Sequence, residues 1–270
     1  MALQPPPEQQ DTAASIAHLT RLVRRASDLP AELRLLDLCT GTGCIPLLFR
    51  HELYAARRDI SLRVLAVDVS QKALDLARHN LRRANTARPR TEETGHFDLL
   101  AADILVDAFA DPVDGPPSLH AALLHANLPR SWDLLIANPP YISPSGYWKS
   151  TTRSVRAFEP KLALVPPHTP GHSDTEQADL FYPRLLDIAR HVEAKVVLLE
   201  VADLEQARRV ARRAQELGVF DGIEIWRDDP AVSSSTCSPS DAVGGYSVIG
   251  DGNARTLALF NTILFLAALS

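Results

Sequence analysis

Short apolar segments alternate with amphipathic segments along most of this 270-residue chain. The apolar runs have the length of buried strands, and the segments between them repeat their apolar residues at helical spacing. This alternation favours an α/β fold in which helices cover both faces of a mostly parallel sheet. We predict seven strands, at residues 33–38, 62–67, 97–101, 132–137, 195–201, 222–226 and 256–266.

A helix is predicted before the first strand, at residues 12–27. Further helices are predicted between the strands, at residues 44–56, 70–83, 178–191 and 203–217. Residues 105–131, rich in Pro, His and Ala, are predicted to be an insertion or long connection, and residues 142–176, rich in Pro, Ser and Thr, a long loop. Residues 228–253, rich in Ser, Gly and Asp, are predicted to be a flexible surface connection. We therefore divide the chain into an N-terminal helix within residues 1–30 and one domain over residues 31–270.

Composition limits the classes of function. The net charge is −5 and the basic residues are scattered, whereas proteins that bind nucleic acid more often carry a basic face. The three cysteines, Cys39, Cys44 and Cys237, have no metal-ligand spacing, so we expect no metal site. The apolar C-terminus, residues 257–269, is shorter than the roughly 20 residues that a membrane-spanning helix needs, so we expect no membrane partner.

Polar residues and glycines are concentrated where the predicted strands end. Parallel strands end at one edge of their sheet, and ligands of open α/β sheets bind outside that edge. The sequence therefore predicts one ligand site formed by these residues: Asp37, Gly41, Gly43, Asp68, Asp103 and Asn138.

The turn after the first strand, Cys39-Thr40-Gly41-Thr42-Gly43, predicts close approach of a ligand to the backbone. A dinucleotide-binding fingerprint would need a third glycine where this chain has Pro46, and no lysine follows to form a phosphate loop. The turn therefore suits a nucleoside without a pyrophosphate. Asp68, which ends the second strand, suits the ribose hydroxyls of such a ligand, the alternative being a helix-capping or surface acid. Asp103 suits an adenine amine, the alternative being a simple turn residue.

The segment Asn138-Pro139-Pro140-Tyr141 follows the fourth strand. Asn138 offers a side-chain carbonyl, and the first proline keeps nearby backbone carbonyls out of a strand ladder and free to accept hydrogen bonds. The Tyr141 ring offers a flat face for a planar group. The segment therefore fits a planar amide or amine, although Asn and Pro are also common in plain turns.

A glycine-rich turn, two acids and Asn-Pro-Pro-Tyr in this order resemble the class I methyltransferases that use S-adenosylmethionine. Within that group the turn is similar to enzymes that methylate planar nitrogens, either adenine amines or protein glutamines. Further segments resemble the HemK/PrmC-type release-factor glutamine methyltransferases: Val155-Arg156-Ala157-Phe158-Glu159-Pro160, Ala163-Leu164, Phe181-Tyr182 and Leu198-Leu199-Glu200-Val201.

This resemblance implies a Rossmann-like fold, S-adenosylmethionine as cofactor and a set of site residues. Asp37, Thr40 and Gly41 would hold the methionine end of the cofactor, Asp68 the ribose and Asp103 the adenine. Asn138 and the Pro139 carbonyl would bind the glutamine amide, with Tyr141 packed against it. The complete cofactor-binding set implied by the resemblance is Asp37, Thr40, Gly41, Gly43, Asp68, Asp103 and Asn138, and the catalytic set is Asn138, Pro139 and Tyr141.

The implied partner is a peptide chain release factor, methylated on the glutamine of its Gly-Gly-Gln segment. The family has an N-terminal helical domain that docks this partner, whereas residues 1–30 precede the domain here, so we expect a truncated chain. The resemblance also implies a mitochondrial location, the alternative being cytoplasmic. Two other functions stay open: an adenine-amine methyltransferase acting on DNA or RNA, and a non-catalytic scaffold with this fold.

Overall fold

The computed structural model describes residues 7–26, 29–86, 95–107, 115–232 and 245–261. The α-helices of these ranges are α1 (Pro7–Arg25), α2 (Cys44–Tyr54), α3 (Gln71–Thr86), α4 (Leu119–His125), α5 (Pro144–Lys149), α6 (Arg153–Phe158), α7 (Asp174–Ala178), α8 (Phe181–His191) and α9 (Leu204–Leu217). Residues Lys161–Ala163 form a short 3₁₀ helix. The strands are β1 (Glu32–Leu38), β2 (Ser61–Asp68), β3 (Gly95–Ala101), β4 (Leu134–Ala137), β5 (Val196–Glu200), β6 (Gly222–Asp229), β7 (Ser247–Ile249) and β8 (Asp251–Phe260).

These strands form one sheet in the order β3-β2-β1-β4-β5-β8-β6-β7. Every neighbouring pair is parallel except the two that involve β8, which runs antiparallel to β5 and β6. The prediction of a mostly parallel α/β sheet is confirmed. The strand order reverses between β1 and β4, and ligands of such sheets bind at this switch point, outside the carboxyl ends of the strands.

The predicted number of seven strands is wrong, because the described ranges contain eight. The extra strand is β7, which pairs with β6 through only three residues. It lies within residues 228–253, which the sequence predicted to be a connection. Three residues are too few for an alternating pattern to be recognised. The last strand also begins at Asp251, five residues before the prediction, while residues 262–266 of that prediction lie outside the described ranges.

Two of the predicted long connections contain short helices. Residues 105–131 include α4, and residues 142–176 include α5, α6 and the start of α7. Ser and Thr residues in these stretches cap the helices by accepting backbone N–H groups. The caps are Ser118, Ser143, Thr152 and Ser173. Residues 108–114 and 233–244, the latter including Cys237, lie outside the described ranges.

The sheet separates two apolar clusters, one on each face. Helix α1 covers one of them with Ile16, Leu19 and Val23, which are all buried. Burial of each such side chain contributes about 1.5–3 kcal/mol. The Ser15 hydroxyl also lies 2.9 Å from the Thr256 hydroxyl of β8, so α1 packs directly on the sheet. Within the described ranges, no helix has the length and apolarity required to cross a membrane.

Candidate functional site

The glycine-rich turn lies at the carboxyl end of β1 and is tied to β2. The Thr40 N–H donates to the Val67 carbonyl (2.9 Å), and the Gly41 N–H donates to Asp68 Oδ2 (2.8 Å). Cys39 and Gly41 both have positive φ, 59° and 54°. The chain therefore turns sharply over the strand end, where the backbone of the turn can be approached by a ligand.

Gly43 is the N-cap residue directly before α2, and it is close to α3. Its φ is 73°, and a Cβ added there would lie 3.1 Å from Ala77 Cβ. We expect Gly43→Ala to lower the free energy of unfolding by about 1–2 kcal/mol from backbone strain alone, with a further loss from the contact. Denaturant unfolding measures the change.

Gly41→Ala is the matched control, because Gly41 also has positive φ but no atom within 4 Å of an added Cβ. We expect the Gly43 variant to be the less stable of the two. Equal losses would show that the approach of α2 to α3 does not require a glycine.

Asp37 is the buried acid of the site. Its side chain is fully buried at the end of β1, and neither carboxylate oxygen makes a well-aligned hydrogen bond to any described residue. Burial raises the pKa of Asp37 to about 7, the nearby Thr40 hydroxyl opposes that rise and the Asp68 carboxylate adds to it. Unsatisfied buried carboxylates are rare and need an explanation. A cationic ligand group with N–H donors would satisfy this one.

Asp68 ends β2, and Asp103 lies two residues after β3. Asp68 accepts the Gly41 N–H with one oxygen and the Ser70 N–H (2.8 Å) with the other. Asp103 accepts the Leu105 N–H (2.8 Å). A carboxylate has about four acceptor positions, so each acid retains capacity for ligand hydroxyl or amine groups.

The three acids all lie near enough to the Cys39 side chain to act on it electrostatically. Burial raises the pKa of the Cys39 thiol well above its usual value, and the carboxylates of Asp68, Asp37 and Asp103 raise it further. The predicted acids are therefore brought together at one edge of the sheet. Their combined field favours a positively charged ligand.

The Asn-Pro-Pro-Tyr turn lies beside this group. Strands β1 and β4 are paired, with Leu38 opposite Ala137, so Cys39 and Asn138 leave the sheet from neighbouring positions. Pro139 and Pro140 are buried, whereas Asn138 and Tyr141 are half-buried. The turn is closed by the Ile142 N–H, which donates to the Leu164 carbonyl (2.9 Å).

The structure adds one acid that the sequence reasoning assigned no role. Glu200 ends β5, and its carboxylate accepts the Tyr141 hydroxyl (3.0 Å) and the Thr12 hydroxyl of α1 (2.6 Å). An acid that ends an apolar strand was the signal used for Asp68, and it applies equally to Glu200. No local pattern marks Thr12, because the contact spans 188 positions of sequence.

The buried side-chain amide of Gln206 contacts the same turn. Gln206 donates to Asp179 (2.9 Å) and, at the longer distance of 3.4 Å, to the Tyr141 carbonyl. Its carbonyl accepts from the Tyr182 hydroxyl (3.2 Å) and the Ala202 N–H (2.8 Å). Both ends of Tyr141 are therefore fixed, the backbone by Gln206 and the hydroxyl by Glu200.

Comparison with known proteins supports the fold. A protein from Listeria monocytogenes described as a class I S-adenosylmethionine-dependent methyltransferase superposes with a TM-score of 0.50 at 16% identity, covering 92% of this chain and 59% of that one. The chain thus has a Rossmann-like class I methyltransferase fold, as predicted. No protein-family model matches the sequence.

Comparison of sequences finds similar proteins that are named as glutamine methyltransferases. A release factor glutamine methyltransferase from Nitratidesulfovibrio vulgaris is 36% identical over 195 residues, covering 72% of this chain and 53% of that protein. One of the same name from Chlorobaculum tepidum is 35% identical over 149 residues, covering 55% and 41%. A probable mitochondrial N(5)-glutamine methyltransferase from Schizosaccharomyces pombe is 30% identical over 180 residues, covering 66% and 50%.

These relatives confirm the resemblance to release factor glutamine methyltransferases. The chain spans about half the length of the curated relatives that it matches, between 41% and 53%.

Proposed function

We propose that this chain, which resembles release factor glutamine methyltransferases and has the class I fold, methylates a protein glutamine. The methyl group would come from S-adenosylmethionine and go to the side-chain amide nitrogen. The observation that carries the proposal is the placement of the Asn138-Pro139-Pro140-Tyr141 turn beside the glycine-rich turn, at the switch point of the sheet. The relatives named above support the choice of glutamine.

The residues present fit the proposed cofactor. S-adenosylmethionine, when bound, supplies a methyl group on a positively charged sulfur, together with an ammonium group and two ribose hydroxyls. The unsatisfied Asp37 carboxylate suits the ammonium group, and the remaining acceptor positions of Asp68 suit the ribose. Asp103 is available to the adenine amine. The three acids also favour the positive charge of the whole ligand.

Asn138 and Pro139 would orient the glutamine amide for methyl transfer. An amide nitrogen is a poor nucleophile, because its lone pair is delocalised into the carbonyl. Two acceptors, the Asn138 side-chain carbonyl and the Pro139 carbonyl, would hold the two N–H groups of the glutamine and direct the lone pair towards the methyl group. The same acceptors stabilise the positive charge that develops on nitrogen. The product nitrogen can lose its proton to water afterwards, so no strong base is required.

The segment after the turn supplies a surface for a protein acceptor. It extends from Pro144 to Leu164, and its end is hydrogen-bonded to Ile142 next to Tyr141. Phe158 and Trp148 are 88% and 68% exposed, which is unusual for aromatic residues and typical of protein contact surfaces. Four cations of the segment form no ion pair with a carboxylate of the described residues: Lys149, Arg153, Arg156 and Lys161. We therefore propose that an acidic part of the release factor contacts this segment.

Replacement of Phe158 by alanine tests that contact. We expect the KM for an intact release factor to rise about tenfold, because an apolar contact is lost and truncation of an important interface residue costs more than about 1 kcal/mol. We also expect kcat and the unfolding midpoint to stay constant, since the ring contributes little to the core. Leu76→Ala on α3 is the control, because Leu76 is also exposed (46%) but lies outside the segment. An unchanged KM in the Phe158 variant would remove this surface from the proposal.

The reaction itself is tested with three acceptors: an intact release factor, double-stranded DNA and an RNA hairpin, each with radiolabelled S-adenosylmethionine. We expect label in the release factor alone. Label in a nucleic acid that declines with salt would instead favour an adenine-amine methyltransferase. Failure to bind S-adenosylmethionine in calorimetry would favour a non-catalytic scaffold.

We also propose a mitochondrial location. Support comes from the relative in S. pombe that is named as mitochondrial. Fractionation of cells that express the full-length protein tests this, and recovery in the cytoplasmic fraction alone would contradict it.

A further inference from the structure

Glu200 links three separate parts of the candidate site. Its carboxylate accepts the Tyr141 hydroxyl from the turn after β4 and the Thr12 hydroxyl from α1, at 3.0 and 2.6 Å. The Asn138 side chain lies close enough to the same carboxylate to oppose the rise in its pKa. A single acid thus binds the Tyr141 hydroxyl and lies near Asn138, the two side chains that the proposed mechanism places against the substrate amide.

Burial of the Glu200 carboxylate is energetically unfavourable, which indicates that an acid is retained at this position for a functional reason. Burial raises the pKa of Glu200, and the hydrogen bonds from Thr12 and Tyr141, the Arg255 charge and the Asn138 side chain oppose that rise. A neutral residue would avoid the cost of removing a carboxylate from water. The neighbours instead include two hydroxyl donors, an amide and a cation, all of which stabilise the ionised form.

The chemistry of Asn138 explains what a hydrogen-bond acceptor at this position does. The Asn amide has a carbonyl at one end and an NH₂ group at the other, and either can face the substrate. Only the carbonyl can accept the N–H of a glutamine amide. Each oxygen of the Glu200 carboxylate accepts a hydroxyl group, from Tyr141 and from Thr12, and an acceptor of this kind attracts the NH₂ end of Asn138. The carbonyl end is then directed away from Glu200, towards the substrate.

We propose that Glu200 is a positioning residue that sets the orientation of the Asn138 amide and fixes the Tyr141 ring, and that α1 contributes through Thr12. The expected effect on the rate of methyl transfer rests on the proposed function. The structural part of the inference, the orientation of Asn138, does not depend on which substrate is methylated.

The test is Glu200→Gln, which keeps the size of the side chain but adds an NH₂ donor beside Asn138. In the ¹⁵N NMR spectrum we expect the Asn138 side-chain NH₂ signals, assigned by their absence in Asn138→Ala, to shift in this variant. We also expect kcat to fall about 10–100-fold, as small misplacements of reacting groups do. The affinity for S-adenosylmethionine should stay constant. In an Asn138→Ala background the same substitution should have little further effect, because its target is gone.

Tyr182→Phe is the matched control. The Tyr182 hydroxyl donates to the backbone carbonyl of Glu200 (2.9 Å) and to Gln206, so its loss disturbs the same region without touching the carboxylate. We expect this variant to lose stability but to keep kcat and the Asn138 signals.

Two results would overturn the proposal: Asn138 signals that stay in place in Glu200→Gln, or a loss of kcat that adds fully to that of Asn138→Ala. If the wild-type chain transfers no methyl group to glutamine, the proposed function fails. The NMR comparison then still decides the role of Glu200.

Discussion

Methyl transfer should fall by about 10²–10³-fold when Asn138 is replaced by alanine, the range seen when one preorganised polar contact to a developing charge is removed. The substrate amide would lose the acceptor that orients its lone pair, and the charge that grows on nitrogen would lose a partner. Asn138 lies at the end of β4, beside the glycine-rich turn and not within it. The affinity for S-adenosylmethionine should therefore change by less than about threefold.

Single-turnover kinetics and calorimetry separate these two effects. Asn85→Ala is the control, because Asn85 is exposed near the end of α3 and pairs with Arg50. We expect it to change neither quantity. If Asn138→Ala reduced cofactor affinity as much as the rate, the assignment of Asn138 to the substrate amide would be wrong.

Replacement of Asp37 by asparagine should weaken S-adenosylmethionine binding about tenfold or more, since hydrogen bonds to charged groups contribute about 1.5–3 kcal/mol. The reason is the loss of the charge that would face the ammonium group. Because burial raises the pKa of Asp37 to about 7, the acid must be deprotonated to pair with a cation. The affinity of the wild type should therefore increase between pH 6 and pH 8, whereas that of the variant should not.

The same substitution should stabilise the protein without ligand. The folded-state pKa of Asp37, about 7, is above its unfolded value of 3.8, so the folded state binds the proton more tightly. Stability is thus lost as the pH rises from about 4 to about 7. Above pH 8 we expect Asp37→Asn to raise the free energy of unfolding by roughly 2–4 kcal/mol, and near pH 4 by almost nothing. A less stable variant that binds the cofactor normally would show that Asp37 serves the fold.

The residues at the carboxyl edge of the sheet could be predicted because the sequence patterns that mark them are local. Asp37, Asp68 and Asn138 each follow a short apolar run, and chain order alone places such residues at one edge of a parallel sheet. The glycines of the first turn were predictable for a similar reason, since a sharp strand-to-helix turn needs positive φ. The structure places all of these residues together, while their roles in binding and transfer stay predictions.

Other features depend on contacts between distant segments, which no local pattern encodes. The Thr12 hydroxyl reaches Glu200 only because α1 packs beside β8. Strand β7 forms because β6 offers it an edge, and not because its three residues are strongly apolar. The division at residue 30 stays a prediction, and α1 shares its apolar cluster with the sheet.

The most direct measurement is tandem mass spectrometry of a release factor after incubation with this chain and S-adenosylmethionine. The expected result is one added methyl group on the side-chain amide of the Gly-Gly-Gln glutamine, absent with the Asn138→Ala variant. An unmodified glutamine, under conditions in which calorimetry shows that the cofactor binds, would contradict glutamine methylation of a release factor by this chain.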